Sequence, residues 1–145
     1  MQKTVLLVDD ELGLIEALED ASASEGHRVL KAMTAEEALR LLKTQRVDLV
    51  TVDIMMPQGP SLESKVDSHR TGLFLCETIR RDYPFIDVFC LSVVSDPNVI
   101  RQIERLGVRF LRKGETPLRT VLNMIRSRLT GIAYSTERDN REPRL

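Results

Sequence analysis

The chain has 145 residues, a formal net charge of -1 from 21 Lys+Arg against 22 Asp+Glu, and 42% hydrophobic residues. This length is typical of one domain, and the apolar fraction excludes disordered, collagenous and purely coiled-coil chains. Cys76 and Cys90 lie in apolar stretches, which favours core residues of a reducing, cytoplasmic protein over a disulfide framework. The short apolar runs predict no membrane span, and the N-terminus has no signal-peptide pattern.

The small net charge hides two unlike halves. Residues 1–100 carry 10 basic and 17 acidic side chains, a net of -7, whereas residues 101–145 carry 11 basic and 5 acidic, a net of +6. No Lys/Arg run is dense enough to indicate direct nucleic-acid binding, and the chain has no Trp. The simplest interpretation of the basic segment is a solvated face.

Short apolar runs alternate along the chain with longer helical patterns. This alternation is typical of βαβ units and predicts an α/β fold with a parallel sheet. The first, third and fourth runs are almost continuously apolar, as in central strands covered by helices on both faces. In chain order the predicted strands are Thr4–Val8, Arg28–Ala32, Leu49–Asp53, Val88–Ser92 and Arg109–Lys113.

Five helices are predicted between and after these strands. Apolar residues recur at helical spacing from Leu14 to Ala21, and Gly26 ends that first helix. A capping box from Thr34 to Glu37 opens the second helix, and the third covers residues 72–82. An N-cap followed by a proline at the first helical position predicts the last two starts, at Asp96-Pro97 and Thr116-Pro117; Gly107 and Gly131 are the predicted stops.

Polar side chains stand at four of the five predicted strand ends. The first strand ends in Asp9 and Asp10, the third in Asp53, the fourth in Ser92 and the fifth in Lys113. Taken singly, each has an ordinary explanation as a helix cap, a turn or a solvated end. Together, three carboxylates at one sheet edge predict a Mg²⁺ site, and a lysine and a hydroxyl beside it would suit phosphoryl transfer. An Asp carboxylate is itself a competent nucleophile that yields an acyl phosphate.

Four segments resemble motifs of the response-regulator receiver domain of two-component signalling. They are Val5–Glu11, Asp48–Pro57, Cys90–Ser92 and Phe110–Lys113. The resemblance covers roughly residues 3 to 130 and implies a flavodoxin-like, doubly wound sheet of strand order 2-1-3-4-5 with five helices. On this basis residues 1–131 form the receiver domain, and residues 132–145 are a polar tail or linker stub.

The resemblance also implies a role for each motif residue. Asp53 would be the phosphoacceptor, and the Mg²⁺ ligands would be Asp10, Asp9 through water, Asp53 and the backbone carbonyl of Met55. Ser92 and Lys113 would bind the phosphoryl oxygens. Ser92 and Phe110 would form the switch that carries phosphorylation to a face made by the fourth helix, fifth strand and fifth helix.

That face coincides with the basic segment. The partner of this face would be a downstream protein or a second copy of the chain. A histidine kinase or phosphotransfer protein would supply the phosphoryl group. The resemblance implies no enzyme beyond the domain's own phosphotransfer and dephosphorylation. The arginines expected there are Arg101, Arg105, Arg109, Arg112, Arg119 and Arg126.

Three features depart from the family pattern. About eleven extra residues are implied at positions 58–71, against about 2 to 6 in such loops; they form either a tolerated surface loop or a lid or recognition loop. Val93 replaces the usual small residue after the switch hydroxyl, so we expect it to narrow access to Asp53 and to slow phosphorylation, hydrolysis or both. Gly114 replaces the proline after Lys113, so a trans peptide is expected there.

Two functions remain open at this point. The first is a phosphoacceptor receiver, and the second is a receiver-like interaction module that works without phosphorylation, favoured by Val93 and the lengthened loop. A phosphatase of the Asp-x-Asp type is disfavoured, because Met55 stands two positions after Asp53, where such an enzyme needs an acid.

Overall fold

The computed structural model describes residues 2–54, 71–93 and 96–131, without the side chain of Leu12. Strands and helices alternate through these residues. The strands are β1 (Thr4–Val8), β2 (Arg28–Ala32), β3 (Leu49–Val52), β4 (Asp87–Ser92) and β5 (Arg109–Arg112). The helices are α1 (Leu12–Ser24), α2 (Ala35–Thr44), α3 (Thr71–Asp82), α4 (Pro97–Arg105) and α5 (Leu118–Thr130).

The five strands form one parallel sheet in the order β2-β1-β3-β4-β5. The doubly wound fold and its strand order are thereby confirmed. Every residue of β1 and β3 is buried, which agrees with their continuous apolar sequence. β2 lies on one side of β1, and β3 lies on the other side, followed by β4 and β5. The direction in which strands are added therefore reverses at the boundary between β1 and β3. Ligands of open α/β sheets bind at the carboxyl end of such a reversal.

Alternate residues of each strand enter two cores on opposite faces of the sheet. Leu6 and Val50 belong to one core, together with side chains of α2, α3 and α4. Leu7 and Leu49 belong to the other, together with side chains of α1 and α5. Helices therefore cover both faces, and only the strand ends are left to carry polar chemistry.

Two predicted helix caps are present, and a third prediction is wrong by one residue. The Thr34 hydroxyl accepts a hydrogen bond from the Glu37 amide at 3.1 Å, and the Asp96 carboxylate accepts one from the Asn98 amide at 2.9 Å. At α5, however, the N-cap is Pro117 and not Thr116. The Thr116 amide instead donates to the Arg112 carbonyl at 3.1 Å, so Thr116 belongs to the turn that follows β5.

Both cysteines are buried in the core, as predicted, and neither forms a disulfide. Burial raises the pKa of the Cys76 thiol to about 12 and also raises that of Cys90. Both thiols therefore stay protonated and act as small apolar groups.

The inserted loop predicted at residues 58–71 lies outside the described residues except for Thr71, which is the first residue of α3. The polar tail at residues 132–145 also lies outside them. The described part contains no cis peptide bond, and Gly114 has a φ of +87°. Within the same part, no helix has the length and apolar character needed to cross a membrane.

Candidate functional site

The residues predicted at the strand ends meet at the carboxyl edge of the sheet. The register aligns Val8 of β1 with Val52 of β3, so Asp9 and Asp53 leave neighbouring strands side by side. Their amides continue the ladder, because the Asp53 amide donates to the Val8 carbonyl at 3.0 Å and the Asp9 amide to the Ala32 carbonyl at 3.1 Å. Hydrogen bonds of the sheet therefore fix the backbone of both residues, from which the two carboxylates project.

Three carboxylates at this edge are close enough to share one metal ion. Asp9, Asp10 and Asp53 each offer an oxygen, and these oxygens all lie within 4.8 Å of one another. Asp9 and Asp53 are buried, whereas Asp10 is exposed. Oxygen-only ligands of this charge suit a hard divalent cation, and an ion with an incomplete protein shell keeps positions for water or phosphate. The donor set fits Mg²⁺.

The Asp9 carboxylate is harder to ionise than an ordinary aspartate, because it is buried beside another carboxylate. Burial raises its pKa from 3.8 to about 6, and the nearby charge of Asp53 acts in the same direction. Hydrogen bonds from Lys113 and from the Glu11 amide lower the pKa, but they do not offset burial. A further cation in the site would therefore stabilise the ionised carboxylate.

Lys113 supplies the positive charge already present. Its Nζ lies 2.7 Å from Asp9 Oδ2, 3.1 Å from Glu11 Oε2 and 3.2 Å from Asp53 Oδ2. Burial lowers the pKa of the ammonium, but the hydrogen bond to Asp9 and the charges of Asp53 and Asp9 outweigh it, and the pKa is raised overall. Lys113 is therefore a permanent cation fixed beside Asp53.

The first turn of α3 packs directly against the backbone of Asp53. A Cβ atom on Gly72 would overlap the Asp53 carbonyl oxygen and the Ile54 Cα. The Gly72 amide also donates to the Ile54 carbonyl at 2.9 Å. The start of α3 is thus joined to the end of β3 at the site, and only glycine allows this approach.

The proposed switch residues lie on β4 and β5. Ser92 is fully buried at the end of β4, and its carbonyl accepts a hydrogen bond from the Lys113 amide at 2.9 Å. Phe110, aligned with Cys90 in the sheet, is half-buried against the core that contains α3 and α4. The Val93 side chain is 64% exposed and so projects mainly into solvent.

The arginines predicted as a partner face differ in their surroundings. Arg112 is half-buried and pairs with Glu115 at 3.2 Å. Arg126 lies 3.6 Å from Glu25, which follows α1, and therefore contacts the α1 side of the molecule. Arg126 is exposed as well, and the four remaining members are exposed on α4, β5 and α5: Arg101, Arg105, Arg109 and Arg119.

Sequence reasoning missed two residues of the site. The sequence assigns no role to Glu11 beyond its place at the end of the Val5–Glu11 motif, yet its carboxylate contacts Lys113. The predicted third helix starts at Gly72, and the sequence assigns this glycine no contact with the site, yet it packs against the backbone of Asp53. The acidic residue directly after the Asp9-Asp10 pair was an available signal for Glu11; no local pattern signals the contact of Gly72. Met55 lies outside the described residues.

The chain has relatives among known proteins. The chain is 36% identical over 99 residues to a probable transcriptional regulator, ycf27, of Porphyridium aerugineum; the match covers 66% of this chain and 37% of that protein. The chain therefore spans little more than a third of that relative.

Solved structures share the fold at lower identity. A CheY-like receiver domain protein of Methanospirillum hungatei matches with a TM-score of 0.75 and 20% identity, over 90% of this chain and 96% of that one. The BeF3-activated receiver domain of DrrB matches with a TM-score of 0.70 and 19% identity, over 89% of this chain and 98% of that one. The family model of the response regulator receiver domain matches residues 5–125. The chain therefore belongs to the response regulator receiver domain family.

Proposed function

We propose that the chain accepts a phosphoryl group on Asp53 from a histidine kinase or phosphotransfer protein. The observation that carries this proposal is the position of the Asp53 carboxylate, which lies beside two further carboxylates and 3.2 Å from the Lys113 ammonium. A nucleophilic carboxylate between a metal-binding group and a fixed cation suits phosphoryl transfer, which depends on positioning and charge neutralisation.

In the proposed reaction an Asp53 carboxylate oxygen attacks the phosphorus of a phosphohistidine. The oxygen–phosphorus bond forms as the phosphorus–nitrogen bond breaks, and the imidazole leaves with a proton from solvent. Asp9, Asp10 and Asp53 would hold Mg²⁺, with the Met55 carbonyl as a further ligand. The ion would neutralise phosphoryl oxygens when bound.

Lys113 and Ser92 would receive the remaining phosphoryl oxygens. Lys113 is already paired with Asp53, so a phosphoryl oxygen on Asp53 would extend toward the same ammonium. The Ser92 hydroxyl stands at the end of the neighbouring strand β4. Movement of Ser92 toward the phosphoryl group would open space for Phe110 to turn inward, and this change would reach the face formed by α4, β5 and α5.

The output would be a change in partner binding at the α4-β5-α5 face. Its exposed arginines, Arg101, Arg105, Arg109 and Arg119, would favour an acidic protein surface, on a downstream target or on a second copy of the chain. Such signalling would take place in the cytoplasm, where histidine kinases present their phosphohistidine. Apart from its own phosphotransfer and dephosphorylation, we propose no enzymatic activity.

A small acyl-phosphate donor tests the proposal without a cognate kinase. Incubation with the donor and Mg²⁺ should add one acid-stable, base-labile phosphoryl group to the protein, seen by intact mass. Asp53→Asn should gain none, and chelation of Mg²⁺ should abolish the gain in the natural chain. Equal labelling of Asp53→Asn, or no labelling by either the donor or a cognate kinase, would contradict the proposal.

A further inference from the structure

Glu11 is placed as the N-cap of α1, yet its side chain does not cap the helix. Its amide donates to Asp9 Oδ1 at 2.9 Å, which fixes the backbone beside the acid pair. Its carboxylate instead lies 3.1 Å from Lys113 Nζ and is 60% exposed. An acidic side chain at this position thus points into the site rather than along the helix.

This contact completes the coordination of the lysine. An ammonium group has three N–H donors, and among residues 2–54, 71–93 and 96–131 Lys113 has three carboxylate partners, Asp9, Glu11 and Asp53. Asp9 and Asp53 have side chains only 7% and 9% exposed, so they are fixed to the sheet edge. Glu11 is the exposed partner, so water can solvate its carboxylate when that carboxylate moves away from Lys113.

An anion that arrives at Asp53 must share Lys113 with these groups. The phosphoryl oxygen can replace the contact of Asp53 itself, but the negative charge of Glu11 then stays beside a second anion. Alternatively the phosphoryl group can displace Glu11, which costs the Glu11–Lys113 ion pair. In both cases the Glu11 carboxylate opposes binding of the phosphoryl group.

We propose that Glu11 is an internal competitor of the phosphoryl group for Lys113 and so limits the affinity of the site for it. The inference rests on the proposed phosphoacceptor function and adds a regulatory residue to that site. Because Glu11 is exposed, its effect is modest and depends on ionic strength.

The test uses beryllofluoride, which binds an aspartate carboxylate as a non-covalent phosphoryl mimic. It is titrated into the full chain at fixed Mg²⁺, with amide NMR shifts as the readout. Glu11→Gln removes the charge but keeps a hydrogen-bond acceptor, and Glu11→Ala removes both. Glu16→Gln is the matched control, because it makes the same charge change on an exposed residue of α1.

Both Glu11 variants should bind beryllofluoride roughly twofold to fivefold more tightly than the natural chain. Glu16→Gln should not, and the difference should shrink in about 1 M salt, where the screening length is about 3 Å. Equal affinity would overturn the inference, as would an equal gain in Glu16→Gln. Weaker binding would also overturn it, since Glu11 would then position Lys113 for the anion. If the natural chain binds beryllofluoride but Glu11 has no such effect, only the inference about Glu11 fails. If neither the natural chain nor any variant binds it, the phosphoacceptor proposal fails as well.

Discussion

Lys113 Nζ lies 3.2 Å from Asp53 Oδ2, although the two residues are 60 positions apart in the chain. Their strands are not neighbours, because β4 lies between β3 and β5. The ion pair therefore spans the carboxyl edge of the sheet, and both side chains are more than nine-tenths buried. This link between the central strand and the edge strand underlies the predictions for Lys113 and Asp9.

Lys113→Met should destabilise the Mg²⁺-free protein at neutral pH. The substitution leaves the carboxylates of Asp9 and Asp53 buried without their cation. Breaking a buried pair on one side typically costs about 3 kcal/mol or more. Urea denaturation should show the loss, and added Mg²⁺ should restore more stability to the variant than it adds to the natural chain. An unchanged midpoint without Mg²⁺ would show that the lysine does not hold the site together.

Asp9→Asn should gain stability relative to the natural chain as the pH rises from 4 to 7 when Mg²⁺ is absent. The pKa of Asp9 is about 6 in the folded chain against 3.8 as the ordinary value, so the folded state binds more protons between these values. The stability contributed by protonated Asp9 is therefore complete below about pH 4 and is lost as the pH rises through 6.

Urea denaturation between pH 4 and 7.5 measures this effect. The free energy of unfolding of Asp9→Asn relative to that of the natural chain should rise across the interval, by at most about 3 kcal/mol. Saturating Mg²⁺ should reduce this rise, because the ion stabilises only the carboxylate form. A constant difference across the pH range would contradict the prediction.

Gly72→Ala should destabilise the fold by about 2 kcal/mol or more, because its Cβ would overlap backbone atoms of Asp53 and Ile54. Gly13→Ala is the matched control, since a Cβ at Gly13 in α1 meets no atom within 4 Å. The control should be neutral or stabilising by about 0.5 to 1 kcal/mol. Thermal and urea unfolding of the two variants compare them directly; similar values would contradict the close packing of α3 on β3.

Arg80→Met should loosen the end of α4 and cost about 1 to 3 kcal/mol. The Arg80 guanidinium donates to the Leu106 carbonyl and to the Ile86 carbonyl, each at 3.1 Å, and so joins α3 to the C-cap of α4. Within the described part of the chain, the neighbouring Arg81 pairs only with the adjacent Asp82, and its side chain is 70% exposed. Arg81→Met should therefore change stability by less than about 0.5 kcal/mol. Hydrogen exchange should speed up near Leu106 in the Arg80 variant only; equal exchange in both would disprove the link.

The sequence predicts the elements well because their signals are local. Buried β1 and β3 read as continuous apolar runs, and Asp96 and Thr34 form the predicted caps. The strand order came from the family resemblance rather than from the residues. Thr116 was misassigned because its amide bonds to Arg112 in the turn after β5, a competing partner that propensity cannot reveal.

The site divides in the same way. Asp9, Asp10, Asp53 and Lys113 were predicted because each ends a recognisable strand, and the structure brings them together. The contact of Glu11 with Lys113 joins residues 102 positions apart, so the acidic residue after Asp9 and Asp10 could suggest a further site residue but not its partner. It depends on the segments that follow β1 and β5, which bring Glu11 and Lys113 together at the carboxyl edge of the sheet.

Mapping of the phosphoryl group within the chain shows directly whether Asp53 is the phosphoacceptor. The protein is treated with an acyl-phosphate donor and Mg²⁺, the aspartyl phosphate is reduced with borohydride, and the converted residue is located by peptide mass spectrometry. We expect conversion at Asp53, with Asp9 and Asp10 unchanged. Conversion at Asp9 or Asp10, or at no aspartate under conditions that label another receiver domain, would contradict this expectation.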